Sequence, residues 1–118
     1  MNARVLIVDD DAGVVSTLTS ILEAGGYQVT AASSFEEGKR LLLEPPAPAV
    51  LITDVRLGMF NGLQLALLSP PSTAVLVISG YLDRTLEAET QRLGGVYMLK
   101  PVPAALLLDT IRSLVSPV

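Results

Sequence analysis

Five short apolar runs recur along the chain, and each ends in polar or acidic residues. Val5-Leu6-Ile7-Val8 runs into Asp9-Asp10-Asp11, Val50-Leu51-Ile52-Thr53 into Asp54, and Val75-Leu76-Val77-Ile78 into Ser79-Gly80. Val96 to Leu99 ends at Lys100-Pro101, and the weaker run Gln28 to Ala32 alternates, with Val29 and Ala31 on one side. Unbroken β-branched and leucine runs predict strands covered on both faces, as in a parallel sheet.

The stretches between them carry a helical period. Val14, Val15, Leu18, Ile21 and Leu22 make one stripe, which Asp11 is placed to cap and Gly25-Gly26 to end. Ser34-Phe35-Glu36-Glu37 is a capping box, and its helix, with Phe35, Leu41 and Leu42, breaks at Pro45-Pro46. Leu63 to Leu68 predicts a short helix cut off by Pro70-Pro71. Asp83 is placed to cap a helix with the thin stripe Leu82, Leu86 and Leu93, opposite Arg84, Glu87, Glu89 and Arg92. The last helix follows Pro103 and is expected to bury Ala104, Leu107, Leu108, Ile111, Leu114 and Val115. This alternation predicts a doubly wound α/β fold in a single domain, residues 1–118, with ligands at the carboxyl ends of the strands.

Composition narrows the chemistry. Half of the residues are hydrophobic and only 17% are charged, which excludes disorder for the chain as a whole. Apolar runs reach five residues, as at Ala74–Ile78, far short of the ~18 of a membrane span. Met1-Asn2-Ala3-Arg4 does not open a signal peptide, so the expected location is the cytoplasm. A net charge of −4 without a basic stripe argues against nucleic acid as a partner. With no cysteine and no histidine, disulfides, Cys/His zinc sites and Ser-His or Cys-His pairs are excluded. Any metal must be held by oxygen, which points to a hard cation such as Mg²⁺.

Asp9-Asp10, Asp54, Ser79 and Lys100 follow four different runs. A parallel sheet would gather them on one edge. Carboxylates crowded there repel one another and titrate as a coupled set, and a divalent cation and an ammonium group would relieve them.

The ordered set, from Val5-Leu6-Ile7-Val8-Asp9-Asp10 through Asp54-Val55-Arg56-Leu57 and Ile78-Ser79-Gly80 to Lys100-Pro101, resembles the receiver domain of two-component response regulators. The resemblance is to the chemotaxis-regulator type and covers the whole chain. It implies a flavodoxin-like sheet of five parallel strands, ordered 2-1-3-4-5 in chain count and flanked by five helices. Asp54 would be the phosphoacceptor, served by a histidine kinase or phosphotransfer protein. Asp10, Asp54 and the backbone carbonyl of Arg56 would ligate Mg²⁺, with Asp9 acting through a metal-bound water. Ser79 and Lys100 would each take a phosphoryl oxygen, with the Lys100–Pro101 bond often cis in the family. Ser79 and Tyr97 would form the switch, the aromatic ring moving between outward and inward positions. The output face would be the fourth helix, fifth strand and fifth helix, read by an effector domain, a downstream protein or a second copy. Such a domain is a signalling phosphoacceptor and not an enzyme, beyond self-phosphorylation from small donors and self-dephosphorylation.

The chain departs from the family pattern in places. Gly58 stands where a proline is usual, which predicts a looser loop, while the expected glycine is present as Gly62. The stretch from Asp54 to Ser79 is short, so the third helix is expected to be clipped, and Ser79 replaces the more frequent Thr. Arg56 and Tyr81 flank the site at positions that tune phosphoryl lifetime in the family, and their bulk predicts slow self-dephosphorylation.

Three rivals remain at this point. A haloacid-dehalogenase-like phosphohydrolase would use Asp9-Asp10-Asp11 as Asp-x-Asp and Ser79-Gly80 and Lys100 as later motifs. The chain is short for it, only Asp109 follows Lys100, and Asp54 would have no task. A receiver-like binding module that takes no phosphate is the second. A flavodoxin-like cofactor binder is the third, and it lacks a phosphate-cradling loop after the first strand.

Overall fold

The computed structural model describes residues 3–115. Met1-Asn2 and Ser116-Pro117-Val118, which the sequence reading includes in its single domain, lie outside the described residues. The strands are β1 (Arg4–Val8), β2 (Gln28–Ala32), β3 (Val50–Asp54), β4 (Arg56–Leu57), β5 (Phe60–Asn61), β6 (Ala74–Ser79) and β7 (Val96–Leu99). The helices are α1 (Ala12–Ala24), α2 (Phe35–Leu43), α3 (Gly62–Leu68), α4 (Arg84–Arg92) and α5 (Ala104–Val115). Five strands form one parallel sheet in the order β2-β1-β3-β6-β7. With the separate β4–β5 hairpin left out of the count, that is the expected 2-1-3-4-5.

Alternate side chains of each strand point to opposite faces. Val5 and Ile7 of β1, Ile52 of β3 and Ile78 of β6 meet Leu18 and Leu22 of α1 and Leu107 and Ile111 of α5. Leu6, Val8 and Leu51 turn the other way, onto Leu42 of α2 and Leu65 of α3. Full burial of a side chain such as Leu22 or Leu107 contributes about 1.5–3 kcal/mol. The expectation of strands covered on both faces holds for β1, β3 and β6 and fails at the edges. In β2 Ala31 is exposed and in β7 Leu99 is exposed, because an edge strand lacks a neighbour on one side.

The caps follow the sequence with small offsets. Asp11 Oδ1 accepts the N–H groups of Gly13 and Val14 at 2.9 and 3.2 Å. Ser34 Oγ accepts the Glu37 N–H, but Glu37 reaches back to the N–H of Ser33, not of Ser34. Asp83 caps α4 through Thr85 and Leu86. The stripe of α4 differs from the expected one. Leu82 precedes the helix and Leu93 follows it, both exposed, and Thr90 is the buried residue, its hydroxyl satisfied by the Leu86 carbonyl at 2.7 Å. Ala104 is exposed because it opens α5 before the helix meets the sheet. The clipped α3 starts at Gly62 behind an Asn61 cap that the sequence reading does not include.

Candidate functional site

β1, β3, β6 and β7 run parallel, so their carboxyl ends share one edge of the sheet. Asp9 follows β1 with its side chain fully buried, Asp10 beside it is exposed, and Asp54 ends β3 with its side chain 15% exposed. The Lys100 N–H donates to the Ser79 carbonyl at 2.7 Å, which ties the end of β7 to the end of β6. The Lys100–Pro101 bond is cis. From there Lys100 Nζ reaches Asp9 Oδ2 at 3.0 Å and Asp54 Oδ2 at 3.3 Å. One carboxylate oxygen each from Asp9, Asp10 and Asp54 lies within 4.8 Å of the others.

Charge at this cluster is unbalanced. Burial pushes the Asp9 carboxyl above its ordinary pKa, and repulsion from Asp54 adds to this. The Asp11 N–H and Lys100 pull it back only in part. Burial alone would lower the Lys100 pKa, but the bonds and fields of Asp9 and Asp54 outweigh it and leave that pKa raised. Three carboxylates face one ammonium. The donors are all hard oxygens, so the set fits a divalent cation of the Mg²⁺ type.

The hydroxyl side is linked through one residue. Ser79, buried at the end of β6, donates to the Tyr81 carbonyl at 2.8 Å and accepts the Tyr81 N–H at 3.3 Å. Tyr97 Oη donates to the same Tyr81 carbonyl at 3.1 Å. The side chain of Tyr81 is occupied as well. Arg56 Nε and Nη2 donate to its hydroxyl at 3.0 and 2.7 Å, with the guanidinium 5.1 Å from the ring centroid.

The loop after Asp54 corrects an expectation. It is a two-stranded hairpin and not a looser loop. Gly58 has φ 63° and Met59 is not in the left-handed region, as a type II′ two-residue turn requires. A proline, fixed near φ −65°, could not make that turn. Leu57 is buried, and Phe60 stacks on Phe35 with ring centroids 4.3 Å apart and planes 13° off parallel. This pair is not among the expected elements, although a Gly-first two-residue turn between apolar residues carries a hairpin signal. Gly62 is fixed by space: a Cβ there would fall on the Asp54 carbonyl oxygen and lie 2.8 Å from Thr53 Oγ1.

The sequence matches the family model for the response regulator receiver domain over residues 5–112. The chain belongs to that family. It is 34% identical over 116 residues to the response regulator protein FleR of Pseudomonas aeruginosa, covering 94% of this chain and 24% of FleR. It is 30% identical over 120 residues to the protein PilH of the same organism, covering 97% of this chain and 98% of PilH. The chain thus spans about a quarter of FleR and nearly all of PilH. Among solved structures, a receiver domain protein from Clostridium thermocellum superposes with a TM-score of 0.88 at 29% identity, covering 96% of this chain and 94% of that one. A chemotaxis-regulator-like receiver from Methanospirillum hungatei gives 0.87 at 27%, covering 98% and 94%. Receiver domains are signalling domains that pair with histidine kinases and effector domains, and the phosphohydrolase alternative is not favoured. Among the described residues no helix is long and apolar enough to cross a membrane.

Proposed function

We propose that this receiver domain takes a phosphoryl group onto Asp54 from the phosphohistidine of a kinase or phosphotransfer protein and uses it to reset a protein-binding face. The observation that carries the reading is the placement of Lys100 Nζ between Asp9 and Asp54, at 3.0 and 3.3 Å, beside three converging carboxylates. In the transfer an Asp54 carboxylate oxygen attacks phosphorus, the donor's P–N bond breaks, and the imidazole keeps the bonding pair and takes up a proton. The product is an acyl phosphate. Phosphoryl transfer rests on positioning and charge neutralisation, and Lys100 supplies the protein's own share of both.

Asp10, Asp54 and the Arg56 carbonyl would hold Mg²⁺ directly. Asp9 has Oδ2 committed to Lys100 and Oδ1 to the Asp11 N–H, which suits it to act through a metal-bound water. When bound, Mg²⁺ supplies positive charge to the phosphoryl oxygens. Ser79 turns its hydroxyl from the Tyr81 carbonyl to a phosphoryl oxygen, and that carbonyl is left to Tyr97. The switch is read on the face of α4, β7 and α5, where Leu93, Leu99 and Leu106 are exposed. Its reader is an effector domain, a downstream protein or a second copy in a homodimer. α4 suits a moving element, since its one buried residue is Thr90.

The proposal includes a single domain of residues 1–118, a cytoplasmic location, no nucleic-acid partner and no turnover of outside substrates. Incubation with Mg²⁺ and a small phosphodonor should add one labile phosphoryl group, detected by intact mass. Asp54→Asn should abolish it. Labelling that survives in Asp54→Asn, or steady hydrolysis of a generic phosphate ester, overturns the proposal.

A further inference from the structure

The β4–β5 hairpin is held at three points, the first being Leu57, buried in the core with Leu6, Leu42 and Leu65. In its register Leu57 pairs with Phe60 and Arg56 with Asn61. Antiparallel pairs alternate between hydrogen-bonded and open, and the pair flanking a two-residue turn is bonded. The next bonded pair is then Val55 with Gly62, and the Gly62 N–H does donate to the Val55 carbonyl at 2.7 Å. Arg56 therefore falls in an open pair, its carbonyl turned away from Asn61 and left out of the ladder. On one flank the Arg56 side chain is held by Tyr81. On the other, Phe60 stacks on Phe35 at the start of α2. The tip has little else: the space around Gly58 is open and Met59 is 98% exposed. Between the hairpin and α2 lies a cavity of about 290 Å³ whose walls include Asp10, Phe35, Gly58 and Phe60.

We infer that the Phe35–Phe60 stack is a positioning element for the cation site, setting how far the hairpin, with its free Arg56 carbonyl, stands from Asp10. This rests on the proposed Mg²⁺ site and deepens it. The Phe60 side chain has no oxygen or nitrogen to offer a cation, so it acts through the backbone it holds. Its effect depends on the ion's geometric tolerance. Mg²⁺ requires near-ideal octahedral geometry, while Ca²⁺ accepts flexible and higher coordination. A hairpin that loses this stack, and is held by Leu57 and Arg56 alone, should therefore lose Mg²⁺ more than Ca²⁺.

The test is calorimetric titration of the full chain with Mg²⁺ and, separately, Ca²⁺, for wild type, Phe60→Ala, Phe60→Leu, Phe60→Tyr and Asp10→Asn. Circular dichroism checks the fold of each. Phe60→Ala and Phe60→Leu should weaken Mg²⁺ by about tenfold, the scale of losing a supporting residue behind a metal ligand. Ca²⁺ should weaken less. Phe60→Tyr keeps the ring and should bind Mg²⁺ like wild type, and Phe60→Leu keeps apolar bulk should Phe60→Ala not fold. Unchanged Mg²⁺ affinity in folded Phe60→Leu, with loss in Asp10→Asn, overturns the inference and leaves the site standing. Equal losses of the two ions also overturn it. Absence of Mg²⁺ binding in wild type, or full binding in Asp10→Asn, overturns the site itself and the inference with it.

Discussion

Asp9 and Lys100 form a 3.0 Å ion pair in which both partners have raised pKa values. An isolated pair would lower the acid and raise the base. Here the lysine has two anions for neighbours, whereas Asp9 has one cation, one competing carboxylate and no solvent. Burial, helped by repulsion from Asp54, therefore disfavours the charge of Asp9 in spite of the pair, while the two carboxylates favour that of Lys100.

A pH dependence follows from that asymmetry. Folded Asp9 holds its proton above the ordinary 3.8. As pH rises from there through the folded value, the unfolded chain ionises first and the folded state is penalised. The penalty persists at neutral pH. In EDTA, Asp9→Asn should therefore melt above wild type at pH 7, with the gain shrinking to nothing below about pH 4. Lys100 acts in the opposite sense: its contribution is complete below 10.5 and lost as pH climbs through its raised folded value. Added Mg²⁺ should narrow the gap by stabilising wild type more. An unchanged or lower melting temperature for Asp9→Asn in EDTA would contradict this.

Ser79 and Tyr97 share the Tyr81 carbonyl as acceptor, at 2.8 and 3.1 Å. Ser79→Ala leaves that carbonyl to Tyr97 and removes the hydroxyl proposed to follow the phosphoryl group. It should still take phosphate on Asp54, more slowly, but the resonances of α4 and β7 should no longer respond to a phosphoryl mimic. Tyr97→Phe should leave phosphorylation near wild type and shrink the same response. NMR spectra with and without the mimic check both. Wild-type-like shifts in Ser79→Ala would break the proposed link.

Arg56 and Tyr81 are joined by two hydrogen bonds and a cation–π contact. The expected slow self-dephosphorylation requires that this joined pair shield a phosphoryl group on Asp54 from water. Arg56→Ala and Tyr81→Ala should each shorten the phosphoryl half-life several-fold. Because each residue holds the other, the double variant should lose less than the product of the single losses. The decay of labelled protein after removal of the donor measures it. A half-life that stays fixed in the double variant excludes shielding by this pair.

The parts of this fold that the sequence exposes are those with a strong local cause. Unbroken runs such as Val5–Val8 and Val75–Ile78 are legible because a strand buried on both faces tolerates nothing else. The placement of Asp9, Asp54, Ser79 and Lys100 is legible because parallel strands bring their carboxyl ends to one edge. What stays hidden depends on partners distant in the chain. Phe35 and Phe60 stack only after α2 and the hairpin are in place. Thr90 looks like a surface residue of a polar helix until packing turns it onto the sheet. The departure at Gly58 signals a missing proline, while the turn that replaces it needs Leu57 and Phe60 to be read as a pair.

Gly58 and Gly62 separate conformational strain from steric exclusion. At Gly58 the space is open, but φ is 63°. An alanine there meets no atom, but it must adopt the positive φ of the first central position of a type II′ turn, a strain of about 1–3 kcal/mol. Gly58→Ala should fold, melt modestly lower and keep its phosphorylation, because the flanking Leu57–Phe60 pair still closes the hairpin. At Gly62 a methyl group would meet the Asp54 carbonyl oxygen and Thr53 Oγ1, neither of them a flexible side-chain end. Gly62→Ala must shift the end of β3 or the start of α3, and either moves the backbone that carries Asp54. It should lose more stability than Gly58→Ala and slow labelling of Asp54 even at temperatures where it remains folded. Melting curves and labelling rates on the two variants make the comparison. Equal losses in both would mean that the contact between α3 and the phosphoacceptor backbone is not tight.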